Sequence, residues 1–267
     1  MQHGLLIPPV GELSDPRALA EVAVSAEAAG WDGVFLWDHV LRPSGEPPAI
    51  ADPWVAMAAI AMATTRVRIG PMVTPLTRRR PIKLAREAIT LDQLCGGRLT
   101  LGLGLGVDTS RELSGFGEVV DPKERGDRLD EGVELLCRFW SGEEVDFAGA
   151  HFVADRVRVQ PRPVQRPRIP LWFAARGTAR RPVRRAAQYD GLVPIEVDER
   201  GLAEMLDVVR EQRGSLDGFD VAVRPHDRRE YEAFAELGAT WVNVEPRPGD
   251  PDTATIAASA PTDVFGV

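Results

Sequence analysis

A (β/α)8 barrel is the fold class that the sequence predicts, on three observations. Short apolar runs alternate with amphipathic stretches along most of the 267 residues. Breaks that contain Asp, Pro or Gly separate these segments, which is typical of βα repetition. Eight apolar runs can be counted before the tail, and eight units in about 250 residues favour a closed barrel over an open doubly wound sheet.

The apolar runs give the strands, and the amphipathic stretches give the helices. The predicted strands are His3–Pro8, Gly33–Asp38, Val67–Val73, Arg98–Gly104, Leu171–Ala174, Gly191–Ile195, Phe219–Arg224 and Thr240–Val244. The predicted helices cover residues 16–29, 53–64, 81–95, 122–140, 178–189, 199–213 and 227–237.

Local signals justify the ends of these helices. Asp15-Pro16 and Asp52-Pro53 each combine an N-cap residue with a proline at the first helical position. Gly30 ends the first helix, and Gly96-Gly97 ends the third, because glycine after a last turn is a stop signal. The fourth helix carries Leu129, Val133 and Leu136 on one face, at the 3.6-residue period.

One segment departs from the repeat after the fourth helix. Residues 144–160 alternate around Gly149 and predict a small hairpin. Residues 161–170 are rich in proline and predict an extended connector. The tail after residue 244 is short and polar, so residues 1–267 are interpreted as a single barrel domain.

The composition argues against several classes of function. The chain has 32 basic and 40 acidic residues, a net charge of −8, so neither nucleic acid nor an anionic membrane is expected as a partner. Cys95 and Cys137 lack metal-ligand spacing, so neither a metal site nor a disulfide is expected. Without a recognisable signal peptide or membrane span, a cytoplasmic location is the default expectation.

The site of such a barrel is expected at the C-terminal ends of its strands. Asp38 and His39 leave the second strand together, and an imidazole suits proton transfer near neutral pH. Adjacent residues of an extended chain point in opposite directions, so one of the pair should face the mouth while the other holds the loop. Alternatively, Asp38 pairs with Arg42 or the backbone, and His39 is a partly exposed loop residue.

The fourth strand has small residues at alternate positions, namely Gly102, Gly104 and Gly106. Room for a planar ligand against this bare face is one interpretation, and tight packing of a neighbouring strand explains the pattern equally well. The spacing does not match the dinucleotide-binding fingerprint.

Anion recognition is predicted at two places. Ala175, Arg176, Gly177 and Thr178 open the fifth helix, where backbone N–H groups, a guanidinium and a hydroxyl suit a phosphate. The alternative is an ordinary N-cap by Thr178 beside a solvated arginine. The run Arg78-Arg79-Arg80 can reach a polyanionic cofactor tail or form a solvated loop.

The tryptophans are mostly expected in the core, because they lie on apolar, periodic elements. Trp37 is among these expected core residues. Trp54, in the helix after the Asp38-His39 loop, is the one expected to border a pocket.

Several of these segments together resemble the bacterial luciferase-like flavin-dependent monooxygenases. The segments that carry the resemblance are residues 28–33, Asp38-His39, 70–81, 91–99, 102–106, 125–136 and 161–165. The resemblance covers most of the chain, and its middle run is long and specific. It implies a luciferase-like barrel that binds FMN or, in a sister branch, the deazaflavin coenzyme F420.

The same resemblance implies roles for particular residues. It implies a non-proline cis peptide at Met72–Val73 and catalytic roles for His39 and Asp38. The implied cofactor-binding residues are Met72, Val73, Thr74, Gly104, Gly106, Ala175, Arg176, Gly177 and Thr178. A lid insertion after the seventh strand is expected to be absent.

The leading expectation is a monooxygenase that uses O2 and reduced FMN on a small organic substrate. A separate flavin reductase is expected to supply the reduced FMN, because no NAD(P)H motif is apparent. His39 is expected to stabilise or protonate the reaction intermediate. The alternatives are F420-dependent hydride transfer, with residues 78–80 near the anionic tail, and a non-catalytic flavin-binding barrel. The family resemblance also implies a homodimer.

Overall fold

The computed structural model describes residues 1–42, 48–177, 179–246 and 252–266. Its strands are β1 (Gln2–Ile7), β2 (Gly33–Leu36), β3 (Arg68–Pro71), β4 (Thr74–Pro75), β5 (Leu101–Gly104), β6 (Glu144–Ala148), β7 (Val153–Arg158), β8 (Leu171–Arg176), β9 (Gly191–Ile195), β10 (Asp220–Val223) and β11 (Trp241–Val244). Its helices are α1 (Pro16–Ala29), α2 (Pro53–Ala63), α3 (Pro81–Leu94), α4 (Pro122–Ser141), α5 (Arg180–Ala186), α6 (Glu199–Arg213), α7 (Arg228–Leu237) and α8 (Thr253–Ala257).

The main sheet closes on itself. Its strands are parallel and follow the order β3-β2-β1-β11-β10-β9-β8-β5-β4. The two ends of this order are consecutive in the chain and flank the cis peptide bond between Met72 and Val73. The N–H of Ile69 donates to the carbonyl of Arg98 at 3.0 Å, and the N–H of Thr100 donates to Ile69 at 2.8 Å. These bonds complete the ring, so the predicted barrel is confirmed.

The structure differs from the predicted elements in several places. The third predicted strand is divided into β3 and β4 at the cis peptide, and the fifth helix begins at Arg180 rather than at residue 178. The tail forms α8, because its apolar side chains Ile256 and Ala257 are buried against α1. The hairpin expected after the fourth helix is confirmed as the antiparallel pair β6 and β7.

Side-chain caps define the beginnings of most long helices, as the sequence predicts. The capping carboxylates accept hydrogen bonds from backbone N–H groups in the first helical turn. Such caps are made by Asp15, Asp52, Asp121, Asp198 and Asp227. At the other end of α1, Gly30 takes a φ of 98°, a left-handed conformation that glycine adopts without a steric penalty.

Three aromatic side chains fill the interior of the barrel. Phe35, Trp172 and Trp241 contact one another with ring centroids 5.5 to 5.9 Å apart. Their bulk requires glycine on the neighbouring strands, since a Cβ on Gly4 would lie 2.7 Å from Phe35 and one on Gly191 would lie 2.4 Å from Trp172. The interior is therefore a packed layer, and open space remains above it at the strand ends.

The helices cover the outside of the barrel. Each long helix buries one apolar face, as α1 does with Leu19, Val22, Ala23 and Ala26. Within the described ranges, no helix combines the length and apolar character that a bilayer span requires.

Candidate active site

A cavity of about 540 Å³ opens at the carboxyl ends of the barrel strands. Leu6, Met72 and Val193 line it and also pack against the aromatic layer, so they form its floor. Ligand sites in proteins typically measure about 300–1,000 Å³ and are largely apolar. The cavity therefore lies where the barrel pattern predicts the site and is large enough for a tricyclic ring.

His39 and Glu112 form a paired imidazole and carboxylate on the cavity wall. Nδ1 of His39 lies 2.8 Å from Oε2 of Glu112, and the two side chains are 31% and 1% exposed. The carboxylate accepts a hydrogen bond from the Nδ1–H group, which leaves Nε2 as the nitrogen that can take up a proton. No partner for Nε2 is found within residues 1–42, 48–177, 179–246 and 252–266.

Glu112 also organises the backbone that follows β2. Its Oε1 accepts hydrogen bonds from the N–H groups of Val40 at 2.6 Å and Leu41 at 3.1 Å. Burial raises the pKa of Glu112, but the hydrogen bonds from His39, Leu41 and Val40 outweigh it, so the net shift is downward. The carboxylate is therefore held ionised beside the imidazole.

The loop after β5 brings Glu112 to the cavity, and hydrogen bonds with two side chains hold this loop in place. Oδ1 of Asp108 accepts hydrogen bonds from the N–H groups of Leu113 and Ser114 at 2.8 and 3.0 Å. The guanidinium of Arg125 donates to the carbonyls of residues 105 and 106 at 3.1 and 2.8 Å. Sequence reasoning missed Glu112, since a single Glu in a long loop carries no spacing signal.

Asp38 borders the cavity, but its carboxylate is buried and anchors the base of the site. Its side chain is fully buried, and its Oδ2 accepts from the hydroxyl of Thr74 at 2.7 Å, from Arg79 at 2.8 Å and from Trp54 at 3.3 Å. The expected division, with one residue facing the mouth and its neighbour holding the loop, agrees with this arrangement. The alternative pairing of Asp38 with Arg42 is not the one observed among the described residues.

Arg78 bridges the two buried carboxylates. It donates to Oδ1 of Asp38 at 3.1 Å, and its other terminal nitrogen lies 3.2 Å from Oε1 of Glu112. Its side chain is only 9% exposed. Arg78 and Arg79 therefore form ion pairs within the protein, which is neither the contact with a cofactor tail nor the solvated loop that the sequence left open. Arg80 is exposed at the start of α3.

Strand alternation separates the predicted cofactor-binding residues into two sets. Met72, Val73, Gly104 and Gly106 line the cavity, as expected. Thr74 does not line it, because its buried hydroxyl is turned towards Asp38.

The residues predicted to bind a phosphate, 175–178, also fall partly inside and partly outside the cavity lining. On β8, Ala174 and Arg176 face the cavity, whereas Ala175 is buried in the helix layer. Nη1 of Arg176 lies 2.9 Å from Oε2 of Glu196, so this arginine has an acidic partner in the cavity wall.

The start of α5 also differs from the expectation. The N-cap position belongs to Ala179, which makes no side-chain capping hydrogen bond. Thr178 itself lies outside the described residues. Gly177 has a φ of 56° and lines a separate cleft between α5 and α6.

The bare face of β5 is explained in part by close packing. A Cβ on Gly102 would lie 2.4 Å from the carbonyl oxygen of Pro71, and one on Gly104 would lie 2.8 Å from Val73. The segment around the cis peptide therefore occupies this face, which is the second of the two interpretations. Gly104 and Gly106 still border the cavity beyond it.

Two tryptophans exchange the roles that the sequence predicts for them. Trp37 lines the cavity and meets His39 edge to face at a centroid distance of 5.4 Å. Trp54 is buried below the wall, where its Nε1 donates to Thr74 at 3.2 Å. On strand β2 and its extension, Phe35 and Trp37 share the inward side, which puts Trp37 above the aromatic layer.

The lowered pKa of Glu112 makes a prediction about acid stability. A carboxylate whose folded-state pKa lies below its unfolded value of 4.5 stabilises the fold above pH 4.5, and this contribution disappears as the pH falls through the lowered pKa. We expect Glu112→Gln to be less stable than the wild type near pH 7, with the difference shrinking below pH 4.5. Urea unfolding between about pH 7 and about pH 3 measures this difference. A difference that is constant across that range would contradict the assignment.

A parallel barrel whose mouth holds an apolar cavity and an imidazole–carboxylate pair has the features of a site for a small molecule. The family described as luciferase-like monooxygenase has a sequence profile that matches residues 1–227. The chain belongs to this family.

The curated relatives that the chain matches include enzymes named for coenzyme F420. The F420-dependent glucose-6-phosphate dehydrogenase of Nakamurella multipartita is 36% identical over 169 residues, which are 61% of this chain and 48% of the relative. The chain thus spans about half the length of the curated relatives it matches.

Solved structures share the fold. An F420-dependent secondary alcohol dehydrogenase bound to an F420–acetone adduct has a TM-score of 0.83 at 21% identity, over 99% of this chain and 97% of the other. The monooxygenase RslO1 of Streptomyces bottropensis has a TM-score of 0.71 at 26% identity, over 89% of this chain and 75% of the other.

Proposed function

We propose that the protein is an F420-dependent oxidoreductase that transfers a hydride between a small substrate and the deazaflavin. The His39–Glu112 pair on the cavity wall is the observation that carries this proposal. Oxidation of an alcohol to a carbonyl removes a hydride and a proton, so it needs a proton acceptor beside the hydride acceptor. The curated relatives named for F420 support the same cofactor.

His39 is the group that would exchange the proton. Because Nδ1 donates to Glu112, the ionised carboxylate fixes the tautomer and stabilises the imidazolium that forms when Nε2 is protonated. The edge contact with Trp37 restricts rotation of the ring. Glu112 thus acts as an orienting group, and its own proton affinity stays low.

The residues present fit a flat tricyclic cofactor. The cavity floor of Leu6, Met72 and Val193 is apolar, and Ala174 and Gly104 leave room at the side. Arg176 is the cavity residue that can approach a phosphate group of the cofactor, if it exchanges Glu196 for it. Deazaflavin supplies a carbon centre that accepts or donates a hydride.

A monooxygenase that uses reduced FMN and O2 is the second candidate. The description of the family and the 26% identical monooxygenase favour it. The same imidazole can serve either reaction, so the geometry of the His39–Glu112 pair does not distinguish them. F420 ranks first because the curated relatives at 36% identity carry that cofactor in their names.

Titration of the purified protein with F420 and with FMN tests the cofactor. Tryptophan fluorescence is a suitable signal, because Trp37 lines the cavity. We expect F420 to quench the fluorescence saturably and FMN to bind much more weakly. Trp37→Phe should reduce the amplitude of the change while F420 still binds. Tight binding of FMN without binding of F420 would overturn the proposal.

A further inference from the structure

Most cations around the mouth of the cavity are paired with carboxylates. Nη1 of Arg224, at the end of β10, lies 2.6 Å from Oε2 of Glu245. Arg176 pairs with Glu196, and the two arginines behind the wall neutralise the two buried carboxylates described above. An anion from solution is therefore bound most readily by an arginine of the mouth that no carboxylate neutralises.

Arg42 is one such arginine, and it lies against the cavity wall. Its guanidinium carbon is 4.5 Å from the ring centroid of Trp37, which lines the cavity beside His39. Stacking of this kind holds an arginine in place and leaves the N–H groups in its plane available for other partners. In the described part of the chain, no carboxylate forms an ion pair with Arg42. Arg42 thus places a positive charge on the same side of the cavity as His39.

Arg111 is the second such arginine, and it immediately precedes Glu112. Its φ is 58°, a left-handed conformation that is uncommon for residues other than glycine. The loop turns here, so that the Glu112 side chain is 1% exposed in the wall whereas Arg111 is exposed. The next acid along the loop, Asp108, accepts hydrogen bonds from the N–H groups of Leu113 and Ser114. Among the described residues, Arg111 has no ion-pair partner either.

Glu112 brings these two arginines to the same part of the mouth. Its Oε1 accepts hydrogen bonds from the N–H groups of Val40 and Leu41 at 2.6 and 3.1 Å. The backbone that leads into Arg42 is therefore joined to the residue that follows Arg111. Both guanidinium groups belong to the region where the extension of β2 meets the loop after β5.

We propose that Arg42 and Arg111 bind an oxyanion of the substrate, a carboxylate or a phosphate, at this side of the mouth. The inference rests on the proposed function, which gives the cavity floor and Arg176 to the cofactor and leaves the His39 side for the substrate. Arg176 is on β8, away from the meeting point of β2 and the loop after β5. The planar N–H groups of a guanidinium match the oxygens of a carboxylate or phosphate, which makes this pair a specificity determinant.

Titration of the cofactor-free protein with three matched ligands tests the assignment. Benzoate, phenyl phosphate and benzamide share one ring and differ in charge, so their apolar contacts with the cavity cancel in the comparison. By calorimetry, at least one of the two anions should bind the wild type at least about tenfold more tightly than benzamide. Arg42→Met and Arg111→Met should each reduce this preference, and the double variant should abolish it. Arg42→Lys keeps the charge and should retain part of the preference.

Arg158→Met is the matched control. Arg158 is an exposed arginine on β7 and does not belong to the cavity lining. Its replacement should leave the preference for the anion as in the wild type. Equal affinity of the wild type for the anions and for benzamide would overturn the inference. A preference that survives in the double variant of Arg42 and Arg111 would overturn it as well.

A titration in the presence of F420 separates this inference from the proposed function. The anion that the wild type prefers should still bind to the F420 complex, because the two arginines lie outside the part of the cavity assigned to the ring. Loss of anion binding to that complex would overturn the inference, since no charge would remain for a substrate. Failure of F420 to bind would refute the proposed function alone, and the titrations without cofactor would still decide whether Arg42 and Arg111 recognise an anion.

Discussion

Replacement of His39 by alanine is expected to lower kcat by about 10²–10⁴-fold, the usual contribution of a positioned general base. Nε2 is the one nitrogen of the ring that is not used by Glu112, so the variant removes the proton acceptor from the cavity wall. The floor of the cavity is untouched, and the dissociation constant of the cofactor should therefore stay close to that of the wild type. Steady-state kinetics and fluorescence titration measure the two quantities separately.

His151→Ala is the matched control for this variant. His151 lies on the loop between β6 and β7, away from the cavity, and it uses its backbone N–H to bind Glu131. It should retain full turnover. If His39→Ala also turned over normally with unchanged cofactor affinity, His39 would have no part in the chemistry.

Loss of the guanidinium at position 78 is expected to cause the largest change in stability. Arg78→Met leaves the carboxylates of Asp38 and Glu112, which are 0% and 1% exposed, without the cation between them. Removal of one partner from a buried ion pair typically costs about 3–5 kcal/mol in the free energy of unfolding. We expect a loss near the lower end of this range, because Arg79 still neutralises Asp38.

Urea unfolding of Arg78→Met and of a surface variant measures this cost. Arg200→Met removes an arginine that is 87% exposed and pairs with Glu204 on α6, and it should unfold at the same urea concentration as the wild type. An unfolding midpoint for Arg78→Met equal to that of the wild type would show that the buried carboxylates do not depend on Arg78.

Local signals were sufficient to predict the barrel. The Asp-Pro pairs at residues 15–16 and 52–53 form the caps that the sequence suggests, and Gly30 takes the left-handed conformation expected of a stop residue. These features depend on a few neighbouring residues, and for that reason a sequence pattern reveals them. The helix α8 in the tail was not predicted, because the burial of Ile256 and Ala257 depends on contact with α1, which is far away in the sequence.

The site was predicted less completely, because its key contacts join distant parts of the chain. His39 was found from its place after a strand, but its partner Glu112 is 73 positions away. The sequence left the roles of Arg78 and Arg79 open, because their partner Asp38 is 40 and 41 positions away and is brought close only by the fold. Side-chain pairing over such separations follows from the closed barrel and has no local signature.

The dependence of turnover on oxygen tests the central claim most directly. Hydride transfer to F420 balances without O2, whereas a monooxygenase needs O2 and reduced FMN for every turnover. The purified protein should therefore oxidise a small alcohol in the presence of F420 at the same rate in air and under strict anaerobic conditions. Product that forms only with O2 and reduced FMN, and that carries an oxygen atom from labelled O2, would contradict the account.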